Sequence, residues 1–147
     1  MVTEIPLAGL LPAALLINLP EIDVQHEEIF RRIEALKETC YGNGPVSFDE
    51  FESLLDYLKY HFATEERIAQ EAGAAFVDHA RVHRENLRAL RKAFGKVRNG
   101  AGDVHSFLRF AEYWFERHIN EEDKPFAASV LECRLRSANG SLPAADI

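Results

Sequence analysis

Positive charge is in short supply: 17 lysines and arginines against 24 aspartates and glutamates leave a net charge of −7 at pH 7. That balance removes any electrostatic reason to bind nucleic acid or an anionic membrane surface. The basic residues are interleaved with acids, as on solvated helix faces. Cysteine is scarcer still. Cys40 and Cys133 stand far apart without a CxxC spacing, so two lone thiols in a reduced, cytoplasmic compartment are expected. Long apolar runs are also missing. The best candidate, IPLAGLLPAALLINL from Ile5 to Leu19, is too short for a membrane span, is interrupted by Pro12 and lacks a positive leader. It is expected to be a non-helical or partly helical arm packed on the domain, with no membrane insertion.

Period-two alternation is absent, as are internal repeats, low complexity and any sign of a second domain. At 147 residues the chain is long enough for one domain with a real core. The expected division is an arm over 1–19, a bundle over about 20–133 and a tail over 134–147.

Four stretches repeat at helical spacing. The first, from about Pro20 to Cys40, carries Ile22, Ile29, Ile33 and Leu36 on one stripe, with His26 inside it. YGNGP (41–45) ends it, and SFDE (47–50) reads as a capping box for the second helix, Ser47 with Glu50. There Phe51, Leu54, Leu55, Leu58, Phe62 and Ile68 face inward, together with His61 and Glu65, and Gly73 is placed to end the helix. The third helix spans about Phe76–Arg98, with Leu87, Leu90, Phe94 and Val97 beyond His79 and His83. Asp103 offers an N-cap to the fourth, whose stripe runs through Phe107, Leu108, Ala111, Trp114 and Phe115 to His118. After Pro125 a short helix continues to about Cys133. The fold class is therefore all-α: an antiparallel up-down-up-down four-helix bundle with an N-terminal arm and a short C-terminal helix.

Five of the six histidines (His26, His61, His79, His83 and His118) fall on inward apolar faces. One buried imidazole is ordinarily a satisfied core residue, but five from four helices would each pay desolvation without a partner. A shared metal site removes that cost, since neutral imidazole ligates iron, zinc, copper or nickel. His61–x3–Glu65 and His79–x3–His83 are i, i+4 pairs leaning from one face each. Asp123 brings the set to seven, too many for one ion, and two carboxylates among five imidazoles suggest a pair of bridged ions. HINEEDKPF (118–126) sets His118 and Asp123 five apart, about 140° around a regular helix. The two can share a site only if the fourth helix loosens between Ile119 and Asp123. Pro125 supplies a reason, by disfavouring helical geometry at Lys124 and leaving the Glu121 carbonyl without its donor. His105, out of register with these, is expected to be exposed and without a role.

DVQH (23–26), HFATEE (61–66), HARVH (79–83) and HINEEDKPF (118–126), in that order over about 20–130, resemble the hemerythrin family. The resemblance implies two non-haem iron ions with an oxo or hydroxo bridge inside a four-helix bundle. His79, His83 and His118 resemble the three histidines of one iron, His26 and His61 the two of the other, and Glu65 and Asp123 the bridging carboxylates. Ile29, Trp114, Phe115 and Ile119 resemble the residues lining the family's O2 pocket beside the two-histidine iron. Reversible O2 binding, for storage, transport or delivery to an O2-consuming enzyme, is the implied function, with no catalysis beyond side oxidase or peroxidase activity. The resemblance leaves the oligomeric state open, and a monomer is the expectation.

The rival readings are a di-iron oxidase or peroxidase, an O2 or redox sensor acting through a separate partner, and a metal store. A ferritin-like oxidase would show Glu-x-x-His on paired helices, whereas this chain shows His-x3-Glu and His-x3-His.

Overall fold

A computed structural model of the chain describes residues 11–41 and 48–138. Five α-helices account for most of them: α1 (Pro20–Tyr41), α2 (Phe48–Ala72), α3 (Val77–Arg98), α4 (Val104–His118) and α5 (Lys124–Ala138), with a π-helical turn (Ile119–Asp123) joining the last two. No strand occurs among the described residues. Helices α1 and α2, α2 and α3, and α3 and α4 pack as neighbours, and α4 also packs on α1 to close the ring.

The chain reverses at each connection, and the core shows it. Phe51 near the start of α2, Phe94 near the end of α3 and Phe107 near the start of α4 meet at one end of the bundle, with Phe51 and Phe94 stacked at 5.4 Å. The histidines occupy the other end, at the start of α1 and α3 and the end of α2 and α4. Between these ends the stripes read from the sequence are buried: Ile22, Ile29, Ile33 and Leu36 of α1 and Leu54, Leu55 and Leu58 of α2 all lie in the core.

Local chemistry ends and starts the helices. Gly73 has φ +75°, the left-handed conformation that terminates α2, and Ala74 N–H donates back to the Ala69 carbonyl at 2.9 Å. The Asp103 carboxylate caps α4 by accepting from Ser106 N–H at 2.9 Å. The Ser47 capping box lies outside the described residues.

The described part of the arm, residues 11–19, packs on the domain as expected. Over those residues a 3-10 turn (Ala13–Leu15) interrupts it, and Leu11, Leu15, Ile17 and Leu19 join the core. Two buried acids of α1 fasten it: Leu11 N–H donates to Glu27 Oε1 at 3.0 Å and Ile17 N–H to Asp23 Oδ1 at 2.9 Å. Burial raises the Asp23 carboxyl above its usual value, against the lowering effect of the Ile17 backbone hydrogen bond.

Two expectations need correction. The C-terminal helix runs to Ala138, past the expected end at Cys133 and into the expected tail. Phe126, Ala127 and Val130 bury its inner face, and Arg136 pairs with Glu132 one turn back at 3.0 Å. Lys124, although followed by proline, is fully helical at φ −63°, ψ −46°. The π turn widens the helix just where the pyrrolidine ring would collide with a carbonyl four residues back, so the chain stays helical through Pro125.

Candidate metal centre

All seven sequence-selected side chains converge at the histidine end of the bundle. They fall into two groups that share both carboxylates: His79, His83, His118, Glu65 and Asp123 in one, His26, His61, Glu65 and Asp123 in the other. Each carboxylate points one oxygen into each group. Glu65 Oε1 lies 2.9 Å from His79 Nε2 and 3.1 Å from His83 Nε2, while its Oε2 lies 2.9 Å from His61 Nε2. Asp123 Oδ1 lies 3.1 Å from His118 Nε2 and 3.2 Å from His79 Nε2, while its Oδ2 lies 3.1 Å from His26 Nε2.

The π turn makes this possible. It spans Ile119–Asp123, the interval where the five-residue gap required a loosened helix, and Lys124 N–H donates to the Ile119 carbonyl five residues back. Six of the seven side chains are buried, and His79 is 11% exposed.

The donor set fits cations. His26 Nε2, His61 Nε2, His83 Nε2, His118 Nε2, Glu65 Oε2 and both Asp123 oxygens are buried and close to one another, yet none makes a hydrogen bond of proper geometry. So many orphaned polar atoms aimed at shared points would be costly in a protein core. Cis ligand atoms on an octahedral ion with bonds of about 2.1 Å stand about 3.0 Å apart, close to the nitrogen–oxygen separations here.

Mutual electrostatics set the protonation of the protein's own groups. Burial alone would raise Glu65 and Asp123, but the surrounding histidines outweigh it and hold both carboxyls below their usual range. Burial opposes charge on His79 and His118, yet the adjacent carboxylates prevail and raise His79 to about 9 and His118 to about 10. Burial dominates at His26 and His83, lowering both.

Around the centre the walls are aromatic and aliphatic. Phe62 stacks on His83 with centroids 3.9 Å apart, and Phe126 stacks on His79 at 4.7 Å. Phe115, fully buried, stands edge-on to His26 at 5.1 Å, and Ile29 and Ile119 are also fully buried. Trp114 is half-buried and stacks on His118 at 5.4 Å, beside the three-histidine group. His105 is half-buried, where exposure was expected, because its place in the first turn of α4 turns it partly inward; it belongs to neither group.

Sequence reasoning missed the residues behind the histidines. Gln25 Oε1 accepts from His61 Nδ1–H at 2.7 Å, and the Gln25 amide donates to Thr64 Oγ1 at 3.0 Å. Glu122 Oε1 meets His118 Nδ1. The signal for Glu122 was available, since His118–x3–Glu122 is the same i, i+4 spacing that singled out Glu65.

Fold and site together define a class: a four-helix bundle whose core gathers a histidine and carboxylate cluster with the geometry to hold a pair of cations. The Hemerythrin HHE cation binding domain model matches residues 18–129, and the chain belongs to the hemerythrin family. It is 32% identical over 113 residues to the bacteriohemerythrin of Pseudomonas paraeruginosa, covering 74% of this chain and 72% of that protein. The bacteriohemerythrin of Methylococcus capsulatus is 30% identical over 110 residues, covering 73% and 84%. That of Stenotrophomonas maltophilia is 32% identical over 119 residues, covering 78% and 76%. No solved structure matches the chain at a significant level. No helix among the described residues is long and apolar enough to cross a membrane.

Proposed function

We propose that the protein is a reversible O2 carrier that uses two non-haem iron ions. The observation that carries this reading is the division of labour at the carboxylates, each offering one oxygen to a three-histidine group and the other to a two-histidine group. His79, His83 and His118 would hold one ion, His26 and His61 the other, and Glu65 and Asp123 would each offer an oxygen to both. When bound, the iron pair supplies the two electrons that O2 takes up and later returns. The half with two histidines has one protein ligand fewer, so an ion held there would keep a coordination position for O2.

The chain's own contribution is to hold charge and exclude water. Five neutral imidazoles and two carboxylates leave a pair of divalent ions net positive, which favours an anionic form of bound O2 over oxidation of other molecules. Ile29, Phe115 and Ile119, all fully buried, keep water and protons from the O2 side. Trp114 closes the other flank through its stack on His118. Carriage, with O2 stored or handed to a separate O2-consuming enzyme in the cytoplasm, follows from a site that binds without turning over. The two free thiols suit a reducing compartment.

The test is to reduce the protein anaerobically, add air, and follow the visible spectrum through repeated deoxygenation. A band that appears with air and vanishes with its removal, at two irons per chain, is the expected result. One zinc per chain, or irreversible bleaching with consumption of an added reductant, would overturn it.

A further inference from the structure

The far nitrogen of a metal-facing imidazole decides its tautomer and its donor strength. The two halves of this centre differ there. At His61 the partner is neutral, the Gln25 amide oxygen at 2.7 Å. At His26 the Nδ1 has no hydrogen-bond partner. At His118 the partner is a carboxylate, Glu122.

The π turn creates this arrangement. Glu122, four residues after His118, stays beside Nδ1, while Asp123, five residues on, swings to within 3.1 Å of Nε2. One imidazole is thus gripped at its two nitrogens by two successive carboxylates. Asn86 approaches Nδ1 with its Nδ2 at 3.5 Å, itself a donor, so the acceptor role falls to Glu122. Trp114 covers one face of the ring, with planes 17° apart. The Glu122 side chain is 34% exposed and borders a recess of about 30 Å³ shared with Asn86, Trp114 and Arg117. Its charge therefore stays partly solvated while its hydrogen bond reaches a buried ring.

From this we infer that Glu122 is a charged positioning residue of the metal centre. Its carboxylate holds the proton on His118 Nδ1, aims the Nε2 lone pair inward and makes the three-histidine half the more electron-rich of the two. The inference rests on the metal-centre reading above. An acceptor behind a ligand imidazole raises its basicity, and removing such a partner lowers metal affinity about 10- to 100-fold. A negative charge there also favours the more highly charged oxidation state. Glu122→Gln keeps an acceptor oxygen but not the charge, so the two contributions separate.

The experiment compares wild type, Glu122→Ala and Glu122→Gln as intact chains. In metal-free protein the His118 Nδ1 proton gives a downfield, slowly exchanging NMR signal in wild type and Glu122→Gln, lost in Glu122→Ala. Cobalt(II) affinity, by competition with a chromophoric chelator, falls about 10- to 100-fold in Glu122→Ala and returns to within a few-fold of wild type in Glu122→Gln. The reduction potential of iron-loaded protein rises in both variants. Equal cobalt affinity in wild type and Glu122→Ala, or a Glu122→Gln potential equal to wild type, would overturn the role of Glu122 alone. A wild type that binds no cobalt would overturn the metal-centre reading and this inference together.

Discussion

Loading metal into the stripped protein should release protons, and the number follows from the site. At pH 7 the Glu65 and Asp123 carboxyls are ionised, because both are held below their usual range. His79 and His118, raised to about 9 and about 10, are protonated. Two negative and two positive charges balance in a buried cluster, with protons on the nitrogens that a cation would contact. His26 and His83, both lowered by burial, are already neutral. A metal can bind only after displacing the two protons. At pH 7 that competition weakens binding by two decades at His79 and three at His118, about five in all, relative to a fully deprotonated site. The expected release is therefore about two protons per chain at pH 7. The logarithm of the apparent affinity should climb by about two per pH unit up to about pH 9, then flatten above about 10. Anaerobic titration calorimetry with cobalt(II), in buffers of different ionisation enthalpy, measures the count directly. Release near zero would refute the protonated pair, and release near four would mean that burial does not keep His26 and His83 neutral.

Stability of the metal-free protein should peak in mildly acidic solution. His79 and His118 are raised from 6.5, so their contribution is full below pH 6.5 and lost as pH rises through about 9 and 10. Glu65 and Asp123 are depressed from 4.5 and 3.8, so theirs is present above those values and lost as pH falls below them. Thermal melts of stripped protein should thus show a lower midpoint at pH 9 than at pH 6, and the opposite order would refute the assignment. Glu65→Ala should hold at most one ion by metal analysis, since it removes an oxygen from each group, whereas His105→Ala should still hold two. Phe115→Ala should lose about 3–5 kcal/mol in denaturant unfolding of the metal-free form, because Phe115 is fully buried between the His26 and Phe30 rings at 5.1 Å from each. In loaded protein the same substitution should admit water and shorten the lifetime of the O2-bound form through repeated air cycles.

The legible and illegible parts of this chain divide along a physical line. Helices α1 to α4 and their inward histidines could be read because a buried stripe repeats every three to four residues, and a polar side chain inside that stripe is an anomaly requiring a partner. The π turn could be read for the same reason, since Asp123 was one residue out of register with His118 and two residues before a proline. What escaped has no periodic signature. Asp23 looks like an ordinary first-turn acid of α1 and Glu27 like a solvated helix charge, yet they hold the arm by capturing single backbone N–H groups, a contact set by where the arm happens to lie. Lys124 remains helical because the π turn relieves a clash that the proline rule assumes. Glu122 sits in the acidic run Glu121-Glu122-Asp123, where neighbouring like charges suggest a solvated face. In a regular helix these three would point in three directions, and only the widened turn sends Asp123 into the core while keeping Glu122 on the outer nitrogen of His118. The irregularity that reconciles a five-residue spacing with one metal centre therefore also decides which acid becomes a candidate ligand and which stands behind the histidine.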